Sequence, residues 1–215
     1  AVGYMGNVEA GAGSNNRYKL RGLAIKFSDK ERIGIFANSN NLNDNQRAAL
    51  NGEWSPQDVG SGLQTTKTVG AQYMRFLGNE FSWFDLSSLW NHTNTDDESL
   101  SSKQTFLYGG DSYQHSRYKS LGSSDNWTAG SNFCIQKDKY YTINNLSFSY
   151  AHSHGLNNSN IETSDNQSLL NRMLSANSLE SKNIDFNLKN SNGISIIADM
   201  IRWNFGINYN RNTQK

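Results

Sequence analysis

Ile197-Ala198-Asp199-Met200-Ile201-Arg202-Trp203-Asn204-Phe205-Gly206-Ile207-Asn208-Tyr209-Asn210 is the stretch that decides the fold. Ile197, Ile201, Trp203, Phe205, Ile207 and Tyr209 are apolar at alternate positions, with Asp199 the exception, while Arg202, Asn204, Gly206, Asn208 and Asn210 fill the other set. A period of two belongs to a strand, whose successive side chains leave by opposite faces. The same pattern sets Trp127, Ala129, Ser131, Phe133 and Ile135 against Asn126, Thr128, Gly130, Asn132 and Cys134, and Leu146, Phe148 and Tyr150 against Asn145, Ser147 and Ser149. Weaker alternation runs through 18–27, 32–39, 65–76 and 81–92, where Phe84, Leu86 and Trp90 share a face. The chain therefore reads as all-β, an antiparallel meander of about nine long strands. Ordinary strands average about five or six residues, whereas several of these runs reach about twelve or more. A tilted strand that crosses a membrane needs roughly nine to eleven.

The connections fall into two classes. Short ones are expected at Ser28-Asp29-Lys30-Glu31, Gly78-Asn79, Lys137-Asp138-Lys139 and Asn192-Gly193, the last because both central positions of a type I′ turn take positive φ. Long loops are expected over 40–63, 93–125 and 153–182. Beyond the second strand the two classes alternate, so the long loops gather at one end; the turn at Ser14-Asn15-Asn16 is short but belongs to that end. Outer-membrane barrels show this asymmetry, with apolar side chains outward and polar ones toward a wet lumen. A β-sandwich would instead hide its apolar faces between two sheets. Within the loops, Asp44 to Leu50 is expected to form a helical turn or two. Asn166 to Ser175 is expected to form a short amphipathic helix through Leu169, Leu170, Met173 and Leu174. The runs Thr105–Tyr108 and Ser112–Lys119, joined by Gly109-Gly110-Asp111, predict a hairpin projecting from the second loop.

Composition narrows the function classes. The 215 residues (1–215) fit one β domain. Apolar residues make up 35%, with no 18-residue apolar run, which excludes a membrane-spanning helix. A formal net charge of +1 gives no nucleic-acid footprint. Aromatic residues, at 12%, are too frequent for a disordered chain despite the abundance of Asn and Ser. A single cysteine, Cys134, rules out an internal disulfide. The start at Ala1 without a Met, in sequence that already reads as structured, implies an excerpt of a longer chain.

No nucleophile elbow, phosphate loop, His-Glu-x-x-His or paired-cysteine motif occurs, so the chain reads as non-enzymatic with no catalytic, cofactor or metal residue assigned. His152 and His154 lie two apart but lack a third ligand at a definable spacing. Asp96-Asp97-Glu98 lacks the spaced pattern of a calcium loop and reads as a solvated loop. Trp83, Trp90, Trp127, Tyr140, Tyr141, Trp203 and Tyr209 are candidates for interfacial girdles, or else ordinary core aromatics or a carbohydrate-stacking surface. Tyr108, Tyr113 and Tyr118, with His115 and Arg117, are candidates to meet an extracellular ligand whose identity the sequence does not give.

Three runs carry a family resemblance: Gly6-Asn7-Val8-Glu9-Ala10-Gly11-Ala12-Gly13 with Arg17-Tyr18, then Arg32-Ile33-Gly34-Ile35-Phe36-Ala37-Asn38, then Asn40-Asn41-Leu42-Asn43-Asp44. The succession resembles the early barrel of the TonB-dependent-receptor-like outer membrane β-barrel proteins of Bacteroidetes. It continues through Asn51-Gly52-Glu53-Trp54-Ser55-Pro56 and Gly62-Leu63-Gln64-Thr65-Thr66-Lys67-Thr68-Val69-Gly70-Ala71-Gln72-Tyr73, and covers roughly 6–154. The resemblance implies an outer membrane location, contact with membrane lipid, uptake or surface binding of an extracellular ligand, and a plug domain and further barrel strands as partners. This chain has no room for the plug and ends Asn212-Thr213-Gln214-Lys215 rather than in the aromatic residue usual for such barrels. The rival expectation is a soluble extracellular β-sandwich binding module, glycan-binding through exposed aromatics, in which Ile197, Ile201, Trp203, Phe205 and Ile207 would be buried against a second sheet.

Overall fold

The alternating segments pair with their chain neighbours throughout, and the structure, a computed structural model, describes residues 1–48, 53–55, 61–78, 81–108, 110–165, 168–196 and 199–215. Its strands are β1 (Val2–Ala12), β2 (Tyr18–Ser28), β3 (Glu31–Asn40), β4 (Arg47–Ala48), β5 (Trp54–Ser55), β6 (Leu63–Phe76), β7 (Trp83–Thr105), β8 (Ser112–Lys137), β9 (Tyr140–Ser164), β10 (Leu169–Ile196) and β11 (Asp199–Gln214). Nine of them form one antiparallel sheet in the order β1-β2-β3-β6-β7-β8-β9-β10-β11, and β4 and β5 form a small ribbon of their own. The sheet is open: β1 and β11 are its two edges. Among the described residues no helix is long and apolar enough to cross a membrane.

Turn chemistry explains the hairpins. Asn15 and Asn16 both sit at φ 57°, the left-handed region that Asn tolerates, and Arg17 N–H donates to Ser14 O at 3.2 Å to close the first turn. At the next turn the Ser28 hydroxyl oxygen accepts the N–H groups of Lys30 and Glu31 at 3.3 and 3.1 Å. Asp138 takes φ 43° between β8 and β9.

Five sequence expectations are overturned. Asn192 and Gly193 do not turn: they lie inside β10, opposite Thr142 and Tyr141, because the Tyr141 ring covers Gly193 and makes a glycine useful in mid-strand. β10 and β11 pair out to Ile196↔Asp199, and Ile197 and Ala198 lie outside the described residues. Most of 93–125 is not loop, because β7 and β8 stay paired from Trp83↔Cys134 to Thr105↔Ser112. The stretch 153–182 is likewise β9 and β10, paired out to Ser164↔Leu169. The region from Leu169 to Ser175 is strand rather than helix, with one bulged residue between Leu169 and Asn171; Asn166 and Gln167 lie outside the described residues. Nor is 44–50 helical: Asp44–Gln46 is irregular and Arg47–Ala48 is strand, with Ala49 and Leu50 outside the described residues. Among the described residues, only the stretch between β3 and β6 stays outside the main sheet over a long span.

Because paired residues point the same way, the register divides the sheet into two faces. One face carries Val8, Leu20, Ile35, Val69, Trp90, Trp127, Phe148, Phe186 and Tyr209, and continues through Leu86, Leu146, Leu188 and Ile207. Among the described residues no second layer covers it: Leu20, Ile35, Val69, Trp127, Phe205 and Ile207 are 45–57% exposed. The other face carries Glu9, Arg21, Asn38, Thr68, Asn91, Asn126, Ser149, Asp185 and Asn210, with an apolar patch of Met5, Leu23, Ile25, Phe27 and Phe36 on β1–β3. The buried residues Leu23, Ile25, Asn38, Asn40, Gln64, Thr66 and Thr68 belong to this second face, whereas buried Thr142 and Asn192 lie on the first.

Strand length rises along the sheet, from 11 residues in β1 to 28 in β10. The surplus lies at one end, the end of the turns at 14–16, 41–62, 106–111 and 165–168, so β7–β10 stand above the rest as a four-stranded extension.

Candidate functional site

At the end of β3 the chain folds back across the polar face rather than away from the sheet. Asn40, fully buried, directs this: its Oδ1 accepts the N–H groups of Leu42 and Asp44 at 3.0 and 3.1 Å, and its Nδ2 donates to Asp44 O at 2.6 Å. Asn38, 1% exposed, donates to Asp44 O and Gln46 O at 3.3 and 3.2 Å. Both side chains thus replace the partners that an irregular backbone lacks. Asn41 Oδ1 accepts Tyr18 N–H at 2.8 Å, and Asn43, at φ 57°, accepts Gln64 N–H at 2.8 Å and donates to Gly62 O at 2.7 Å. The loop is pinned to β2, β3 and β6 at once.

A charged cluster stands beside these amides. Lys19 Nζ lies 2.8 Å from Asp44 Oδ2 and 3.1 Å from Glu9 Oε1. Arg21 Nη2 lies 2.5 Å from Glu9 Oε2, and Arg21 Nη1 donates to Gln46 Oε1. The Arg21 guanidinium also sits 4.8 Å from the Trp54 ring centre, and Trp54 meets Phe36 edge-on at 6.0 Å, which holds the β4–β5 ribbon against β3. Partial burial pushes the Asp44 carboxyl up, but the Lys19 ammonium, the Gln46 backbone N–H and the nearby cationic charges outweigh it and hold the group below its ordinary value. Two buried polar atoms at this site, Trp54 Nε1 and Thr66 Oγ1, have no partner among the described residues. Two cations, two carboxylates, several amides and an indole can grip polar groups of a ligand, or narrow the space in front of the sheet.

The residues that the sequence singled out are scattered. His152 and His154 share the apolar face; His152 Nε2 is 3.2 Å from Glu180 Oε1. No group of three His, Cys, Asp or Glu capable of holding a metal exists among the described residues. Asp96-Asp97-Glu98 is strand, not loop: Asp97 accepts from Ser61 at 2.6 Å and Glu98 pairs with Arg117 at 2.7 Å. Cys134 lies on the polar face, its thiol donating to Phe81 O at 3.4 Å. Of the aromatic candidates, Trp90, Trp127, Tyr140, Trp203 and Tyr209 share the apolar face, while Trp83 and Tyr141 belong to the polar one. Tyr113, His115 and Arg117 lie in the tall extension on the face opposite Tyr118, so these four do not converge; Tyr108 stands free in the 106–111 turn. The folded-back loop was not anticipated. Its signal was the density of Asn at 38, 40, 41 and 43, each able to bond backbone locally.

Neither a family of known proteins, nor a curated protein, nor a solved structure matches the chain.

Proposed function

We propose that the chain forms part of the wall of a bacterial outer membrane β-barrel, of the TonB-dependent-receptor-like kind described for Bacteroidetes, and serves uptake or surface binding of an extracellular ligand without catalysis. The observation that carries this reading is the two-faced meander: nine antiparallel strands whose uncovered face carries apolar side chains on every strand, interrupted on β9 and β10 by Thr142, Asn144, Asn190 and Asn192, which bond one another, and whose opposite face is largely polar. Uncovered apolar surface of this extent is costly in water and suited to hydrocarbon. From Ile201 to Tyr209 the band on β11 is nine residues long, the length a tilted strand needs to cross a bilayer. The apolar face then meets lipid and the polar face lines the lumen. The loop 41–62, pinned on the lumenal side by Asn38, Asn40, Lys19 and Arg21, narrows the passage, and the β7–β10 extension stands outside the cell, where it meets the ligand. A plug domain and further strands that pair with β1 and β11 are partners in the same reading.

The test is the state of the purified chain. Chromatography with light scattering, alongside far-ultraviolet circular dichroism, is expected to give one β-rich species only in detergent or lipid. A stable β monomer without detergent would sink the membrane reading and leave a soluble binding module in its place.

A further inference from the structure

Where the apolar band ends, on the side of the tall extension, the outward rows change character in an ordered way. One row across five strands reads Lys67, His92, Asp125, His152, Lys182; two residues lower come Val69, Trp90, Trp127, Tyr150, Ile184; two lower again Ala71, Ser88, Ala129, Phe148, Phe186. Rows two residues apart are about 7 Å apart along the strands, so charge gives way to aromatic rings over roughly the depth of a lipid headgroup zone, and apolar surface follows in the next row. The third row is not flat. Ala71, Ser88 and Ala129 floor a depression of about 370 Å³ walled by Ile35, Leu86 and Phe148. The Trp127 indole is fixed above it, donating to Ser88 Oγ at 2.9 Å and meeting Phe148 edge-on at 5.3 Å.

Above this depression each carboxylate of the charged rows has a partner other than Lys67. Asp125 is engaged by His92 at 2.8 Å, and Glu180, one row further up, by His152 and Lys182 at 3.2 and 3.1 Å. Lys67 stands on the same strand and face as Ala71, is exposed, and has no carboxylate partner among the described residues. A molecule that satisfies all three rows has an apolar chain, a neck that tolerates indole, and an anionic head.

Resting on the membrane reading above, we propose that this depression and Lys67 together hold one phosphate-bearing anionic lipid of the leaflet on the long-loop side. Its acyl chain lies over Ala71, Ser88 and Ala129, and its headgroup lies at Lys67. The Trp90 and Trp127 rings flank the neck between them, where amphipathic rings prefer to sit.

The experiment uses the chain in non-ionic detergent, titrated with phosphatidylglycerol or with phosphatidylcholine and read by native mass spectrometry. In parallel, quenching of tryptophan fluorescence by brominated lipid in vesicles reads insertion. One phosphatidylglycerol adduct per chain, retained where phosphatidylcholine is lost, is expected. Lys67→Gln is expected to weaken it about fivefold, the effect of one cation at an anionic surface. Ala129→Leu, which fills the depression with another apolar side chain, is expected to remove the adduct without changing the β spectrum; Lys139→Gln, at the opposite end of the sheet, is expected to leave it intact. Insertion with equal retention of both lipids, or with retention unchanged in Lys67→Gln and Ala129→Leu, overturns the lipid site and leaves the barrel standing. Failure to insert at all overturns both.

Discussion

The Phe36 ring lies across Gly70, its direct partner in the neighbouring strand, and meets Trp54 edge-on at 6.0 Å. A Cβ at position 70 would come within 2.3 Å of that ring. The same arrangement recurs where Phe27 covers Gly3 and Tyr141 covers Gly193, so an aromatic residue takes the room that its cross-strand glycine leaves open. At Phe36 the ring does a second thing: through Trp54 it ties the loop ribbon to the wall.

Gly70→Ala is therefore expected to displace Phe36 and to destabilise the chain by about 1–3 kcal/mol, the usual range for overpacking. It is also expected to loosen residues 53–55. In Phe36→Ala the added methyl meets open space, so the double variant should lose less than the sum of the singles. A cycle of denaturant unfolding measurements reads that coupling, and strict additivity would show that the ring and the glycine are independent.

Asn40→Ala leaves the Leu42 and Asp44 N–H groups without the acceptor that now holds them. With these part-buried donors orphaned, the expected loss is about 1–3 kcal/mol, felt at the loop rather than along β7–β10. Faster hydrogen exchange at residues 42–46, with unchanged exchange in β8 and β9, is the expected pattern.

Asp44 links the loop to protonation. Its carboxyl is held below the ordinary 3.8, so the folded state favours the charged form. The resulting stabilisation is present above the ordinary value and is lost as pH falls through the lower, folded-state one. Proteolytic cleavage within 41–62 should accordingly be slow from neutral pH down to about 4 and should rise below it when read with an acid-active protease. Asp44→Asn, which cannot ionise, should be cleaved faster at neutral pH and should show no such rise. A variant with the same acid profile as the parent chain would remove Asp44 from the role.

Single cysteines along β11, in a Cys134→Ser background, test the two faces directly. Spin labels at Ile201, Phe205 and Ile207 are expected to respond to a lipid-phase quencher, and labels at Arg202, Asn204 and Asn208 to a water-soluble one. Alternation of period two in opposite phase for the two quenchers is the expected result. Protection of the first set from both would mean a covering protein layer.

Much of this architecture was legible where the two sides of a strand have different surroundings. Trp127 to Ile135 and Ile201 to Tyr209 announce their strands because one face is apolar and the other is not. Above the band both sides are polar, and the alternation that marks a strand vanishes although the pairing continues, as with Thr93↔Ser124 up to Thr105↔Ser112. Asn192-Gly193 misled because a dipeptide suited to a turn is also suited to lying beneath Tyr141. Leu169, Leu170, Met173 and Leu174 mimic a helical face, but their segment is held by β9. The folded-back loop was hidden for a different reason. Asn41 finds Tyr18 and Asn43 finds Gln64, more than twenty residues away in each case, and no local pattern encodes such partners.

The bulge between Leu169 and Asn171 bears on how such a wall can change over generations. Within the nine-stranded sheet every strand pairs only with the preceding and following strands of that sheet along the chain, so a whole hairpin can be gained or lost without re-pairing the others. A single added residue is another matter: within the band it would exchange the two sides of everything beyond it, sending Asn and Ser outward and Ile and Phe inward. Here the unmatched residue sits at the tip of the extension, beside the turn to β9, where the exchange inverts nothing that matters. The tall end of the sheet can thus vary in length residue by residue, whereas the band below it can grow only by complete hairpins.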